Sequence, residues 1–407
     1  MNVLLSIIIP TRNRVEYALS AIKNILKNDS NDFELVVQDN SDNDDLRRRL
    51  GEIIQDGRLH YNYTNYKLDV IANFDAGLKM SKGEFFTFIG DDDGVNPEVV
   101  DAAKWMKANH VDALTPALIV EYTWPDLRFK YYGSRLSGML KVKTFSGKIM
   151  PVDVEMGMRE SAREAFQNLV YTVNLPKVYY GIVRRSCIDE LFTKTKTFFP
   201  GVSPDMAGAM GVASYVNRMY SIDYPLFVPG SSAKSTAGLG AEKKHHGRLE
   251  DQPHLPRECW TNWPQNVPKY FAVQTVWAQS GLAALTATGR DDILREFNLP
   301  LLYAKCMVFN PQFVFTTFLG YCGVIAKQNQ QFLIGLAKLI YWYMLIWVKR
   351  VLSKIKHVLF KKSDTTLCCV YGVDSIDEAV EEFKKVLIST GLTLNKITAS
   401  YMPEQDE

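Results

Sequence analysis

The sequence predicts an α/β protein with a mainly parallel central sheet. Strand-type and helix-type apolar patterns alternate through the first hundred residues and the connections are short. Polar segments rich in Asp, Asn and Gly directly follow the apolar runs. Such alternation is what right-handed βαβ units produce, and ligands of these sheets sit beyond the carboxyl ends of the strands.

Residues 4–9 form a continuous apolar run of the length a strand buried on both faces needs. The run stops at Pro10 and has no basic n-region or cleavage site, so it reads as a strand and not a signal peptide. Val15, Ala18, Leu19, Ile22, Ile25 and Leu26 recur at helical spacing. Residues 33–37 are a second strand, 46–54 a helix, 59–63 a third strand, 70–80 a helix and 84–89 a fourth strand. Three segments should therefore meet at one sheet edge: Pro10 to Arg14, Gln38 to Asp42, and Gly90 to Gly94. Further on, helices are expected at 98–108 and 160–169, a strand-like run at 179–183, and a helix at 206–215 opened by Pro204 and Asp205. Residues 230–256 are rich in Gly, Ser, Lys and His without apolar periodicity, which predicts a flexible lid.

The chain has 407 residues, two to three domains at about 150 residues each. With 47 Lys+Arg against 45 Asp+Glu, it is not a chain that coats nucleic acid. Six cysteines without CxxC spacing point to a reducing compartment, and Cys368–Cys369 reads as two strand residues. The charge is unevenly spread. Residues 297–363 hold no Asp or Glu but nine basic residues, so the rest of the chain is net acidic.

Within that basic stretch, residues 332–348 are apolar or Gly except for Lys338. Seventeen residues is the lower limit for crossing a bilayer, and the lysine counts against it. Val348, Val351, Leu352, Ile355 and Leu359 then hold one helical face, with Lys349, Arg350, Ser353, Lys356 and His357 on the other. Trp342, Trp347, Tyr341 and Tyr343 stand beside them. This pattern predicts an interfacial helix at 330–362 on an anionic membrane surface, a span being the alternative. Ser375 and Glu378 form a capping-box pattern for a short helix, within a small soluble tail at 363–407.

Three consecutive aspartates after a buried strand repel one another unless a cation neutralises them. They read either as oxygen ligands for a divalent metal that also bridges a diphosphate, or as a solvated turn ended by Gly94. No GxGxxG or GxxxxGK[ST] occurs near these strands, so neither a dinucleotide fingerprint nor a P-loop is present.

Taken together, Ser6 to Arg14 (SIIIPTRNR), Asp39-Asn40-Ser41, Ala72-Asn73-Phe74 through Gly77, and Lys82-Gly83-Glu84-Phe85-Phe86 into Gly90-Asp91-Asp92-Asp93 resemble family 2 glycosyltransferases of the GT-A fold, of bacterial surface-polysaccharide type. The resemblance covers roughly residues 1–240. It implies a Rossmann-like sheet flanked by helices, with a nucleotide-binding half at 1–96 and an acceptor half at 97–229, and a helical region at 257–362 behind the lid. Pro10, Thr11, Arg12 and Arg14 would line the nucleotide pocket with Asn73, and Asp39 would bind the base, usually uracil. Asp91 and Asp92 would lie near the donor, and Asp93 would bind Mn²⁺ or Mg²⁺, with His245 of the lid as a further ligand. Asp205 would be the general base of an inverting transfer. Gln38 departs from the family's usual Asp before Asp39, and no acidic residue precedes Asp205.

The resemblance implies an enzyme that moves a sugar from a nucleoside diphosphate, UDP above all, to a glycan or polyprenyl-linked glycan at the cytoplasmic face of the inner or plasma membrane. Two other classes compete with it. A sugar-nucleotide nucleotidyltransferase would want a Gly-rich loop after strand one, and residues 10–14 contain no Gly. A non-catalytic glycan-binding scaffold would not need Asp205 beside the acidic cluster. Paired His245-His246 and the lysines at 234, 243 and 244 read equally as a polar surface loop.

Overall fold

The computed structural model describes residues 3–130, 132–170, 172–242, 246–327, 331–359 and 365–401. Its centre is an eight-stranded sheet of β1 (Leu5–Thr11), β2 (Phe33–Asp39), β3 (Leu59–Tyr63), β4 (Phe85–Phe88), β5 (Ala113–Pro116), β6 (Ile149–Pro151), β7 (Ile182–Arg184) and β8 (Met219–Ile222). The strand order is β3-β2-β1-β4-β7-β5-β8-β6. The first four strands are parallel to their neighbours, and β7 is inserted antiparallel between β4 and β5.

Alternation along the strands explains the layers. Leu5, Ile7 and Ile9 of β1 and Leu35 and Val37 of β2 face one apolar cluster, while Ile8 and Val36 face the other. Helix α1 (Val15–Leu26) covers the first face. Helix α2 (Val70–Met80), capped by Asp69 accepting from the Ala72 N–H at 2.9 Å, covers the second with Phe74 and Leu78. Behind α2 lie α3 (Pro204–Ala213), α4 (Val273–Thr288) and α5 (Leu299–Phe309). Two further helices, α6 (Val314–Lys327) and α7 (Phe332–Leu359), pack onto α5.

Several expectations shift. Residues 46–54 split into a helix, Asp45–Leu50, and a 3₁₀ turn, Gly51–Gln55. The expected helix at 160–169 is Val154–Arg163, capped by Asp153 accepting from the Met156 N–H. The run at 179–183 first meets β4 in a single bridge between Tyr179 and Phe88 and becomes a strand only at Ile182, after Tyr180 with its positive φ of 59°.

The lid is not a featureless loop. Gly230–Ser231 pairs with the strand Val120–Thr123, Thr236–Ala241 is a helix whose N-cap is Ser235, and His246–Gly247 pairs with Phe271–Ala272. The tail is not a separate unit either. Strand Thr366–Tyr371 pairs with Met139–Lys143, and Cys368 and Cys369 are strand residues there. Helix α8 (Ile376–Thr390) lies on α1, so Ile376, Val380, Phe383 and Leu387 complete the first core. An apolar stripe on a short helix has to be buried somewhere, and the open face of α1 is where this one goes.

Candidate active site

The carboxyl ends of β1, β2 and β4 bring the three polar segments together as expected. Asp91, Asp92 and Asp93 all lie buried in the turn after β4. Thr11, the last residue of β1, donates to Asp91 Oδ2 at 2.5 Å. Arg14 enters the cluster from the start of α1. Its Nη1 stands 2.9 Å from Asp91 Oδ1 and its Nη2 2.8 Å from Asp92 Oδ2. Burial opposes the guanidinium charge, but Asp91 and Asp92 together hold it firmly protonated.

The three carboxylates differ in what they have left to give. Asp93 accepts from the Gly90 N–H, Tyr179 Oη and Tyr180 Oη on Oδ2, and from the Gly230 N–H at 2.7 Å on Oδ1. Three of these four fall on Oδ2, so Oδ1 keeps a lone pair outside them. Asp92 takes the Ser232 hydroxyl, the Ser232 N–H and Arg14 on one oxygen, Oδ2. Asp91 Oδ1 faces Arg14 without hydrogen-bond geometry. Burial raises the pKa of Asp91 and of Asp93, and the Asp92 charge pushes both further up.

These oxygens are the ones a divalent cation at the turn would meet. Among the described residues no three His, Cys, Asp or Glu side chains form a ready metal cage. Magnesium-type ions nonetheless need only one or two protein carboxylates when a diphosphate and water supply the rest. Asp91 and Asp92 fit that requirement, since each keeps an oxygen outside its hydrogen bonds and both already face a cation. Asp93, expected as the metal ligand, is held on Oδ2 by a backbone N–H and two tyrosines, while its Oδ1 takes only the Gly230 N–H. His245 lies outside the described residues.

The remaining expected residues divide. Pro10, within β1, pairs with Gln38 at the sheet edge. Arg12 turns away from the aspartates, to Asp42 at 2.8 Å and Asn40 at 3.2 Å. Asp39 is buried, accepting from Tyr61 Oη at 2.6 Å and from the Ser41 N–H at 2.9 Å. Asn73 is buried on α2 with its Nδ2 3.5 Å from the Thr11 carbonyl, and its Oδ1 has no partner.

Asp205 occupies the first turn of α3, after Ser203 and Pro204. Every other residue of that helix is buried, and Asp205 alone is partly exposed. Its surroundings are poor in water, and burial lifts its pKa to about 6 against a favourable backbone hydrogen bond. Its charge also helps to raise the pKa of Tyr179, a tyrosine that donates to Asp93.

Sequence reasoning missed Tyr179, Tyr180, Ser232 and Trp124. Trp124 Nε1 donates to the Asp92 carbonyl at 2.9 Å. Gly230 comes so close that a Cβ there would lie 1.8 Å from that same carbonyl oxygen, so only glycine fits. Nothing local in the sequence marks these residues, because each reaches the cluster from a distant segment.

Residues 6–161 match the profile described as Glycosyl transferase family 2. This region belongs to glycosyl transferase family 2. The matched region supplies six of the eight strands of the central sheet, which has the GT-A arrangement the sequence implied. A relative from Campylobacter jejuni, named GalNAc(5)-diNAcBac-PP-undecaprenol beta-1,3-glucosyltransferase, is 38% identical over 22% of this chain and 29% of its own. The chain thus spans less than a third of that relative's length. Among solved structures, S. aureus TarS 1–349 in complex with UDP-GlcNAc is similar at TM-score 0.46 and 16% identity, over 84% of this chain and 89% of that one. The mannosyltransferase PcManGT of Pyrobaculum calidifontis, in complex with GDP-Man and Mn²⁺, is similar at TM-score 0.40 and 16% identity, over 94% and 87%.

Proposed function

We propose that this chain is an inverting glycosyltransferase that moves a sugar from a nucleoside diphosphate, with UDP as the first choice, to a saccharide carried on a polyprenyl lipid. The observation that carries this is Asp205. One carboxylate, on an otherwise buried helix, has its pKa lifted to about 6, and its charge acts on Tyr179, which donates to Asp93 of the acidic turn. A general base works best with a pKa near the operating pH.

In this reading Asp205 takes the proton of the acceptor hydroxyl as its oxygen bonds the anomeric carbon. The bond from that carbon to the diphosphate breaks, and the nucleoside diphosphate leaves with the electron pair. Asn73 Oδ1, buried without a partner, offers an acceptor for a donor hydroxyl. Asp91 and Asp92 would hold Mn²⁺ or Mg²⁺, and charge neutralisation on the leaving diphosphate is the chemistry such an ion supplies when bound. Arg14 adds a fixed positive charge at the same place. The undecaprenol-linked substrate in the Campylobacter relative's name supports the lipid-linked acceptor. Work on such a substrate would place the chain at the cytoplasmic face of a membrane with anionic lipids.

The test is release of nucleoside diphosphate from UDP-, GDP- and CDP-sugars by the full chain, with and without an added polyprenyl-diphosphate saccharide. Release from one donor, accelerated by acceptor and lost in Asp205→Asn, supports the reading. Equal release by wild type and Asp205→Asn contradicts the base assignment.

A further inference from the structure

The C-terminal helices present an apolar surface that no part of the described chain covers. Helix α7 has 28 residues, about 42 Å at 1.5 Å per residue. It is long and apolar enough to cross a membrane, yet only 11% of its most apolar window is buried. That small share rules out a core helix. Leu333 is 78% exposed, Tyr341 60% and Met344 57%, and Phe315 on the neighbouring α6 is 71% exposed.

How α7 is attached decides its direction. Gly335, Leu339, Trp342, Tyr343 and Ile346 form one stripe, which packs on Tyr303, Ala304 and Met307 of α5 and on Tyr321 and Ile325 of α6. Tyr321 Oη donates to the Gly335 carbonyl at 2.8 Å, and the Arg350 guanidinium lies 5.2 Å from the Phe309 ring at the far end. The stripe therefore runs about four turns along the helix. α5 in turn buries Leu301, Leu302 and Cys306 in the main core. A helix fixed lengthwise to the body cannot stand across a bilayer without carrying that core into lipid.

At 100° per residue, Leu333, Ile340, Met344, Val348, Val351 and Ile355 point away from the packed stripe. Lys338 and Lys349 fall on one border between the two faces and Lys354 on the other, all exposed. Bordering lysines suit headgroup level, where long side chains keep their charge in water while their stems follow apolar surface. The absence of Asp and Glu from residues 297–363 removes repulsion from anionic lipid.

We infer that α6 and α7 form a shelf that lies in the plane of an anionic bilayer surface, with α7 parallel to it, holding the catalytic body at the membrane without spanning it. This deepens the membrane part of the function proposed above and rests on it, but not on the catalytic residues. α4 lies between α3, which carries Asp205, and α5. The base is thus joined to the shelf by packed helices, which suits an acceptor whose lipid stays in the bilayer.

The test is flotation of the full chain with vesicles of phosphatidylcholine, alone or mixed with phosphatidylglycerol. Single nitroxide labels at 333, 344 and 351 report depth. The proposal expects binding to the anionic vesicles that weakens with salt, and one shallow depth at all three labels. Leu333→Asp with Met344→Asp should abolish flotation, and Lys349→Glu with Lys354→Glu should weaken it by at least about tenfold. Donor binding in solution should be unchanged in these variants, which separates failure here from failure of the catalytic reading. Graded depths from 333 to 351 would overturn the in-plane arrangement. Failure to float at low salt, or a stable dimer broken by Leu333→Asp, would give the surface to another occupant and overturn the proposal.

Discussion

Arg14 Nη2 lies 2.8 Å from Asp92 Oδ2, and the same guanidinium reaches Asp91 through its other terminal nitrogen. One cation from the start of α1 thus offsets two carboxylates that the β4 turn forces together. Removing one partner of a buried ionic cluster costs about 3–5 kcal/mol, because the remaining charge is left in a poor solvent. Arg14→Ala should lower stability by that order in denaturant titration. The pH dependence has a definite sign. Without Arg14, the folded state holds a proton on buried Asp91 at pH values where the unfolded chain has released it. The variant should therefore gain stability, relative to wild type, as pH falls from neutral towards the ordinary carboxylate range. A deficit that stays constant with pH would contradict this.

Asp205→Asn separates stability from turnover. Burial raises the Asp205 pKa to about 6, so its charge works against folding above that pH. The contribution is unfavourable once pH passes the folded pKa and vanishes below the unfolded one. The asparagine variant should melt at a higher temperature than wild type at pH 7.5 and at about the same temperature at pH 3.5. Turnover should fall by about 10²–10⁴ with donor affinity kept. In wild type, kcat/KM should rise with pH through about 6 and then level off as the base ionises.

Asp93 is held by Tyr180 at 2.7 Å and by the Gly230 N–H, so it organises the turn. Tyr180→Phe should cost about 1–3 kcal/mol in a denaturant titration by leaving a buried carboxylate short of a donor. Asp93→Asn should likewise destabilise while the folded fraction keeps its metal requirement. A selective loss of metal affinity in Asp93→Asn, with stability unchanged, would restore Asp93 as the ligand.

The tail should prove indispensable to the fold. Phe383 is fully buried on α8, and Val380 and Ile376 of the same helix press on Gly94, next to Asp93. A Cβ at Gly94 would meet Val380 Cγ2 at 2.5 Å. Phe383→Ala should lower stability by about 3–5 kcal/mol in denaturant unfolding. Donor affinity should fall as well, since α8 backs the acidic turn.

Much of this was legible in the chain, and the reason is local. β1, β2 and β4 are apolar runs ending in Thr11, Asp39 and the Asp91–Asp93 turn, so pattern and position agreed. The site's second layer was hidden. Tyr179, Tyr180, Gly230 and Ser232 reach the aspartates across separations of 86 to 140 residues. No periodicity encodes such closures. The tail misled for a related reason: α8 has an amphipathic stripe, but nothing in it names α1 as its partner. Arg12 and Arg14 look alike in sequence, yet only the second turns inward: Asn13 between them takes a left-handed φ of 57°, and Arg14 is the residue that caps α1.

The most direct measurement is equilibrium binding of UDP-, GDP- and CDP-sugars to wild type, Asp92→Asn and Asp205→Asn, with Mn²⁺ or with EDTA. The account predicts that one donor binds wild type and Asp205→Asn when the metal is present, and that Asp92→Asn, though folded, loses this binding. A folded wild-type chain that binds none of these donors with metal present would contradict it, and would leave the acidic turn after β4 a structural feature neutralised by Arg14.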